Sequence, residues 1–308
     1  MTRHVLVTGG AGFIGSNLVD ALLDEGREVT VLDDLSTGSR HNLVGALNRG
    51  ARLINGSIGD RDAIAKAMRP VPDTVFHLAA QIDVRRAVAD PEHDAKVNLL
   101  GTIAVLEGAR AAGVRRIVLA STGGAIYGDA ETIPTPETAE PRPLSPYAAS
   151  KAAAESYCML YSRLYGLECF TLRLANVYGP RQDPRGEAGV IALFCANETG
   201  VATVFGDGRQ TRDFVYVGDV VDAFVRAGND IRNGMCNIST GRETSVLALA
   251  AAVGLEPDFR PERPGEIRRS CLDPSLARRL LGWTARTSLQ EGLALTSTAA
   301  ATRPARPA

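Results

Sequence analysis

The run Gly9, Gly10, Ala11, Gly12, Phe13, Ile14, Gly15 follows an apolar strand-like segment over 4–8 and opens a helically patterned stretch over 13–25. This GxxGxxG spacing constrains the fold more than any other feature of the chain. Glycine permits a tight strand-to-helix turn and close backbone approach, while free amides and the positive end of the helix dipole attract a pyrophosphate. An ordinary glycine turn is the alternative. The strand before the motif and the helix after it favour a dinucleotide site, with Gly9, Gly12, Phe13, Ile14 and Gly15 at the phosphates.

A second apolar run, 28–32, ends at Asp33, eighteen positions beyond Gly15. A carboxylate there accepts both hydroxyls of an adenosine ribose, which favours NAD. A 2′-phosphate would be repelled by Asp33 and Asp34, although Arg40 and His41 keep NADP open as an alternative. Asp33 as a simple turn cap is the other reading.

Further β-branched runs over 52–54, 74–78, 116–119 and 169–174 alternate with helical stretches over 60–68, 94–112 and 146–165. Near-continuous apolar strands separated by helices predict an α/β fold, a doubly wound parallel (Rossmann) sheet covered on both faces. Beyond Asn176 the elements shorten and Gly and Pro become frequent, which predicts a smaller C-terminal α/β substrate-binding lobe. The expected division is a nucleotide-binding domain over 1–176, with 216–240 returning to it, and a lobe over 177–308. Residues 299–308, only Ala, Thr, Arg and Pro, are expected to be a disordered tail.

A net charge of -1 provides no broad basic field, so neither nucleic acid nor an anionic membrane surface is expected as a partner. The five cysteines are odd in number and widely spaced, without a CxxC pair, so neither zinc nor a disulfide framework is expected. No leader-like apolar segment or stretch of ~18 apolar residues occurs, and the expected location is the cytoplasm.

Tyr147 and Lys151 stand four apart on a segment that reads as helix from Pro146, which puts both side chains on one face. Alone, such a pair is more often an ordinary surface feature. Here it follows a complete dinucleotide signature. At this point the chain resembles the extended short-chain dehydrogenase/reductases and, within them, the UDP-sugar 4-epimerases. The resemblance spans 5–295 and rests on VLDDLSTG (31–38), HLAAQ (77–81), NLLGT (98–102), STGGAIYG (121–128), NVYGPRQ (176–182) and RDFVYV (212–217).

That resemblance implies a chemistry. A phenol with a pKa near ~10 is a poor base at neutral pH, but Lys151 and an oxidised nicotinamide favour its phenolate. Tyr147 then removes a sugar hydroxyl proton as hydride leaves carbon 4. The resulting 4-keto sugar turns over and takes the hydride back on its other face. Thr122 is the expected hydroxyl relay, with Ser121 as the alternative, because the loop carries one extra residue relative to the family. For the cofactor the resemblance adds Ser36, Thr37, Gly38, Ile58, Leu78, Ala79, Ala80, Gln81 and Asn98, and Ser57 where an Asp is usual.

For the substrate it implies Thr122, Gly123, Gly124, Asn176, Val190, Val204, Phe205, Arg212, Arg263 and Ser270. Related dehydratases carry acidic residues where this chain has Gly123 and Gly124, so simple oxidation and reduction at one carbon is expected. Small Ser270 would leave room for an N-acetyl group. Arg185 or Arg181 facing a uronate carboxylate would make UDP-glucuronate the substrate instead of UDP-glucose. The other readings are a dehydrogenase that releases its product and a non-catalytic NAD-binding regulator. By analogy with the family a homodimer is expected, through the helices over 94–112 and 146–165.

Overall fold

The structure, a computed structural model, describes residues 3–184, 189–229, 233–262 and 267–301. In its first half, β1 (His4–Thr8), α1 (Phe13–Asp24), β2 (Glu28–Asp33), α2 (Val44–Asn48), β3 (Arg52–Asn55), α3 (Arg61–Ala67) and β4 (Thr74–His77) alternate as the apolar pattern requires. There follow α4 (Val84–Ala89), α5 (Pro91–Ala95), a π-helical turn (Lys96–Leu100), α6 (Gly101–Ala112), β5 (Arg116–Thr122), α7 (Gly123–Ile126), α8 (Pro146–Tyr165) and β6 (Glu168–Leu174).

The second half contains β7 (Asn176–Tyr178), α9 (Val190–Cys195), β8 (Val201–Phe205), β9 (Thr211–Arg212), β10 (Phe214–Tyr216), α10 (Val217–Asn229) and β11 (Gly234–Ile238). It ends with β12 (Thr244–Ser245), α11 (Val246–Ala252), β13 (Glu256–Arg260), β14 (Arg269–Ser270), α12 (Ser275–Leu281) and α13 (Leu289–Ala301).

Seven strands form one parallel sheet in the order β11-β6-β5-β4-β1-β2-β3. Alternation of side chains along each strand feeds two cores. Val5, Val7, Val31, Phe76 and Val118 meet α1, α10 and Trp283 on one face. Leu6, Leu32, Val75, Ile117 and Leu119 meet α3, α6 and α8 on the other. This is the predicted doubly wound architecture.

Outside the sheet, β8 pairs with β13, β7 with β10, and β9 lies between β12 and β14. A third core around Ile191, Ala202, Val204, Phe214 and Leu249 fills this smaller layer.

Two boundaries differ from the sequence reading. Residues over 271–283 pack on the sheet rather than with the smaller layer. Leu272, Ala277, Leu281 and fully buried Trp283 join the α1/α10 core, and the Trp283 indole donates to the Asp219 carbonyl at 2.8 Å. The expected tail does not start at Ala299, since α13 runs to Ala301; 302–308 lie outside the described residues. No described helix is long and apolar enough to cross a membrane.

Candidate active site

The glycine turn is built so that side chains are excluded from it. Gly9 adopts φ +72°, and a Cβ there would lie 2.6 Å from the Ala79 nitrogen; one on Gly15 would lie 2.1 Å from the Gly9 carbonyl oxygen. The first turn of α1 therefore packs directly on the backbone of the β1 loop, and Gly12, at its N-cap, provides no side-chain acceptor for the first amides. Those amides and the dipole are available to an anion.

Asp33 stands at the end of β2, where its Oδ2 accepts from the Ala11 amide at 2.8 Å and its Oδ1 from the Leu35 amide at 2.9 Å. Burial raises its pKa, and the two amides lower it. Each oxygen keeps a lone pair for a ribose hydroxyl. Asp34 is exposed and bonded to Ser36 instead, with Thr37 exposed beside it and Gly38 buried against Asp33. Ser57 is exposed and accepts from the Gly59 amide, while Ile58 is buried. Phe13, Ile14, Leu78, Ala79 and Ala80 are half-buried around the turn. These residues fit an adenine dinucleotide: a glycine cradle in which Cβ atoms at Gly9 and Gly15 would clash with backbone, and an acceptor carboxylate at the end of the neighbouring strand β2.

α8 begins cleanly because Ser145 caps it, accepting from the Ala148 amide at 3.2 Å, and Pro146 occupies its first turn. Tyr147, Lys151 and Glu155 then succeed one another at four-residue intervals, and all three meet the end of β5. An interaction with the Thr122 hydroxyl lowers the pKa of the Tyr147 phenol. Lys151 Nζ donates to the Ala120 carbonyl at 2.6 Å. Ser121 donates to Glu155, which is fully engaged with Arg173 at 2.6 Å in a buried ion pair.

The two candidate hydroxyls are thus separated by their partners. Thr122 is at the phenol, and Ser121 belongs to the buried ion pair. The sequence reading placed Lys151 as the group that favours the phenolate. In the ligand-free protein burial dominates both: it pushes Tyr147 up to about 12, against the Thr122 hydroxyl, and lowers Lys151 to about 8, against Glu155, the Cys158 thiol and Asp94.

Asn98, at the centre of the π-helical turn, clamps the β4 loop. Its Oδ1 accepts from the Gln81 amide and its Nδ2 donates to the Gln81 carbonyl, both at 2.9 Å. A π-turn shifts the register of a helix, and such turns concentrate at functional sites. Asp94, which the sequence reading missed, is fully buried among Gln81, Asn98 and Ser150. Its surroundings, DPEHDAK, read as solvated charge, so only tertiary packing reveals it.

Gly123 packs on Leu272, where a Cβ would lie 2.3 Å from Cδ1, and a Cβ on Gly124 would lie 3.5 Å from Asn176 Oδ1. Arg212 and Ser270 are cross-strand partners on β9 and β14. Phe205 ends β8 and Val190 begins α9, both half-buried, whereas Val204 is fully buried in the small-layer core and can offer a ligand only backbone. Arg181 is committed to Asp20 at 2.6 Å. Arg185 and Arg263 lie outside the described residues.

Known proteins share this arrangement. The sequence profile of the NAD dependent epimerase/dehydratase family matches residues 5–239. A UDP-glucose 4-epimerase of Mycolicibacterium smegmatis is 50% identical over 303 residues, covering 95% of this chain and 97% of that one. The crystal structure of a Thermotoga maritima UDP-glucose 4-epimerase with UDP-glucose superposes with a TM-score of 0.93 at 45% identity, covering 96% of this chain and 98% of the other. A Thermus thermophilus UDP-glucose 4-epimerase in complex with NAD gives 0.89 at 44% identity, with coverages of 97% and 99%. On this family match, and on the glycine cradle, Asp33 and the Tyr147–Lys151 pair that occupy it, the chain belongs to the NAD dependent epimerase/dehydratase family.

Proposed function

We infer that this protein is an NAD-dependent enzyme that inverts carbon 4 of a UDP-sugar, with UDP-glucose and UDP-galactose as its substrate pair, through a transient 4-keto sugar. One observation carries the reading: Tyr147 stands where Thr122 acts on its phenol and one helical turn of α8 from Lys151, beside a loop that has Gly123 and Gly124 where elimination would need acids. NAD, when bound, supplies the hydride acceptor and a positive ring charge. Gly9, Gly12, Gly15 and Asp33 are the residues that would hold it, and Gln81, fixed by Asn98, would border its nicotinamide end.

Tyr147 acts as the base that takes the sugar hydroxyl proton and later returns it. Thr122 keeps the phenol oxygen aimed and relays a hydrogen bond to the sugar oxygen. Lys151, anchored on the Ala120 carbonyl, adds the positive charge that favours the phenolate. Asn176, Arg212 and Phe205 are assigned to the nucleotide diphosphate side on the family pattern, and Ser270 to the space around the sugar's carbon 2 substituent. With Arg181 paired to Asp20, UDP-glucuronate is the less favoured substrate.

The assembly is proposed as a homodimer. Leu100, Leu160, Leu164 and Tyr165 lie exposed on the π-turn and α8, an apolar face on packed helices. Five free thiols support a reducing, cytoplasmic setting.

An NMR assay of purified enzyme with UDP-glucose, UDP-N-acetylglucosamine and UDP-glucuronate tests the activity. Expected are product at carbon 4 from UDP-glucose and no growth of the NADH absorbance band. Net NADH accumulation would make it a dehydrogenase, and a kcat/KM for UDP-glucuronate above that for UDP-glucose would overturn the substrate.

A further inference from the structure

Asp94 is a buried charged group that the mechanism leaves unused, and it is bonded to the helix that bears Tyr147 and Lys151. Asp94, at the C-terminal end of α5, has no solvent exposure, yet every described donor to it is neutral. Gln81 Nε2 and Asn98 Nδ2 donate to its Oδ1 at 3.0 and 2.9 Å, and the Ser150 hydroxyl donates to its Oδ2 at 2.6 Å. A carboxylate placed in a dry interior without a bonded cation is costly unless a positive charge nearby offsets it. Ser150 is the chain neighbour of Lys151, and Asp94 acts electrostatically on both Lys151 and Tyr147.

Other groups besides Asp94 act on the lysine. Glu155 on α8, ion-paired to Arg173 on β6, raises Lys151 more than Asp94 does. His77 on β4 bonds Thr8 and Thr102, and burial lowers it to about 3, so it carries no charge at neutral pH. Cys158 is buried on α8, and its pKa is raised by Cys169 on β6 and by burial, so it stays a thiol. Arg85 and Arg86 on α4, with Glu92 and Lys96 beside Asp94, are exposed and screened, and His93 is half-buried. Asp94 thus adds to Glu155 in favouring the Lys151 ammonium, and of the two it is the carboxylate without a bonded cation.

We propose that Asp94 is a positioning residue for the catalytic pair, whose buried carboxylate ties α8, through Ser150, to the Gln81–Asn98 clamp and adds negative charge beside Lys151. This rests on the roles given above to Tyr147 and Lys151. Buried lysine resists protonation, and an oxidised nicotinamide would repel its ammonium further, so a fixed anion helps to keep Lys151 charged. The same anion raises the Tyr147 pKa and leaves the phenolate to depend on that ammonium.

Asp94→Asn tests it while preserving shape, since the amide oxygen can accept from Gln81 and Asn98, and the freed Ser150 hydroxyl already reaches the Tyr147 carbonyl at 3.0 Å. The chain has three lysines, Lys66, Lys96 and Lys151, so 13C-lysine NMR resolves each titration. Removing a negative charge lowers neighbouring pKa values, so the Lys151 midpoint is expected to fall by roughly one pH unit in Asp94→Asn. The alkaline limb of kcat should move with it, with KM for UDP-glucose changed less than about threefold. Ser150→Ala, which keeps the charge, should leave the midpoint near that of the parent.

An unmoved midpoint in folded Asp94→Asn, an equal shift in Ser150→Ala, or a neutral Lys151 at pH 7 in the parent protein would each overturn the proposal. The last measurement stands even if the variant fails to fold. Because the titration needs no turnover, its failure is separate from failure of the epimerase reading, which Tyr147→Phe decides.

Discussion

Ser121 and Thr122 are adjacent hydroxyls with different partners, and their variants should separate cleanly. Thr122→Val removes the hydroxyl that acts on Tyr147, and kcat is expected to fall about 100-fold with little change in stability, measured by steady-state kinetics and thermal melting. Ser121→Ala removes a donor from buried Glu155 and is expected to cost about 1–3 kcal/mol of stability, with kcat within about threefold of the parent. The reverse pattern would mean that the relay has been assigned to the wrong hydroxyl. The sequence left this choice open because the loop count was ambiguous by one residue. What separates the two side chains is pairing: Ala120, Ser121 and Thr122 extend β5 by registering against Leu172, Arg173 and Leu174 of β6, although the 116–119 run alone marks the strand.

At the scale of elements, the β1–turn–α1 unit was readable because its glycines answer a local demand. Gly15→Ala should abolish NAD binding, measured by calorimetry, since its Cβ would meet the Gly9 carbonyl oxygen at 2.1 Å and force α1 off the turn. Near-parent affinity would contradict the cradle. α5 and its Asp94 were unreadable because a short, highly charged run carries no apolar period, and its burial is decided by α8 packing over it. The return of 271–283 to the sheet was missed for a related reason: Trp283 and Ala277 are isolated apolar positions whose partners, on α10 and in the main core, lie far away in sequence. On α8 the exposed face predicts assembly. Leu164→Glu should convert the proposed dimer to a monomer in light scattering, and an unchanged mass would contradict this interface.

Across the whole molecule, the same interior that sharpens the site makes the fold acid-sensitive. His77 is locked between Thr8 of β1 and Thr102 of α6, and its folded pKa, about 3, lies below the ordinary 6.5. Its contribution is therefore complete above pH 6.5 and declines as pH falls toward 3, because the unfolded chain binds the proton that the fold excludes. Between pH 6.5 and 5 this single group should remove about 2 kcal/mol, and His77→Gln should flatten that slope in urea titrations at the two pH values. Equal slopes in both proteins would show that His77 protonates freely in the fold. The central claim concerns the phenol of Tyr147, beside Thr122 at the end of β5 and one helical turn from buried Lys151. Tyr147→Phe keeps the ring and removes only the proton carrier, so the most direct test is its kcat for UDP-glucose 4-epimerisation, with NAD content and melting temperature checked in parallel. The expected result is a folded protein slowed by about 100-fold or more, and a Phe variant as fast as the parent would contradict the account.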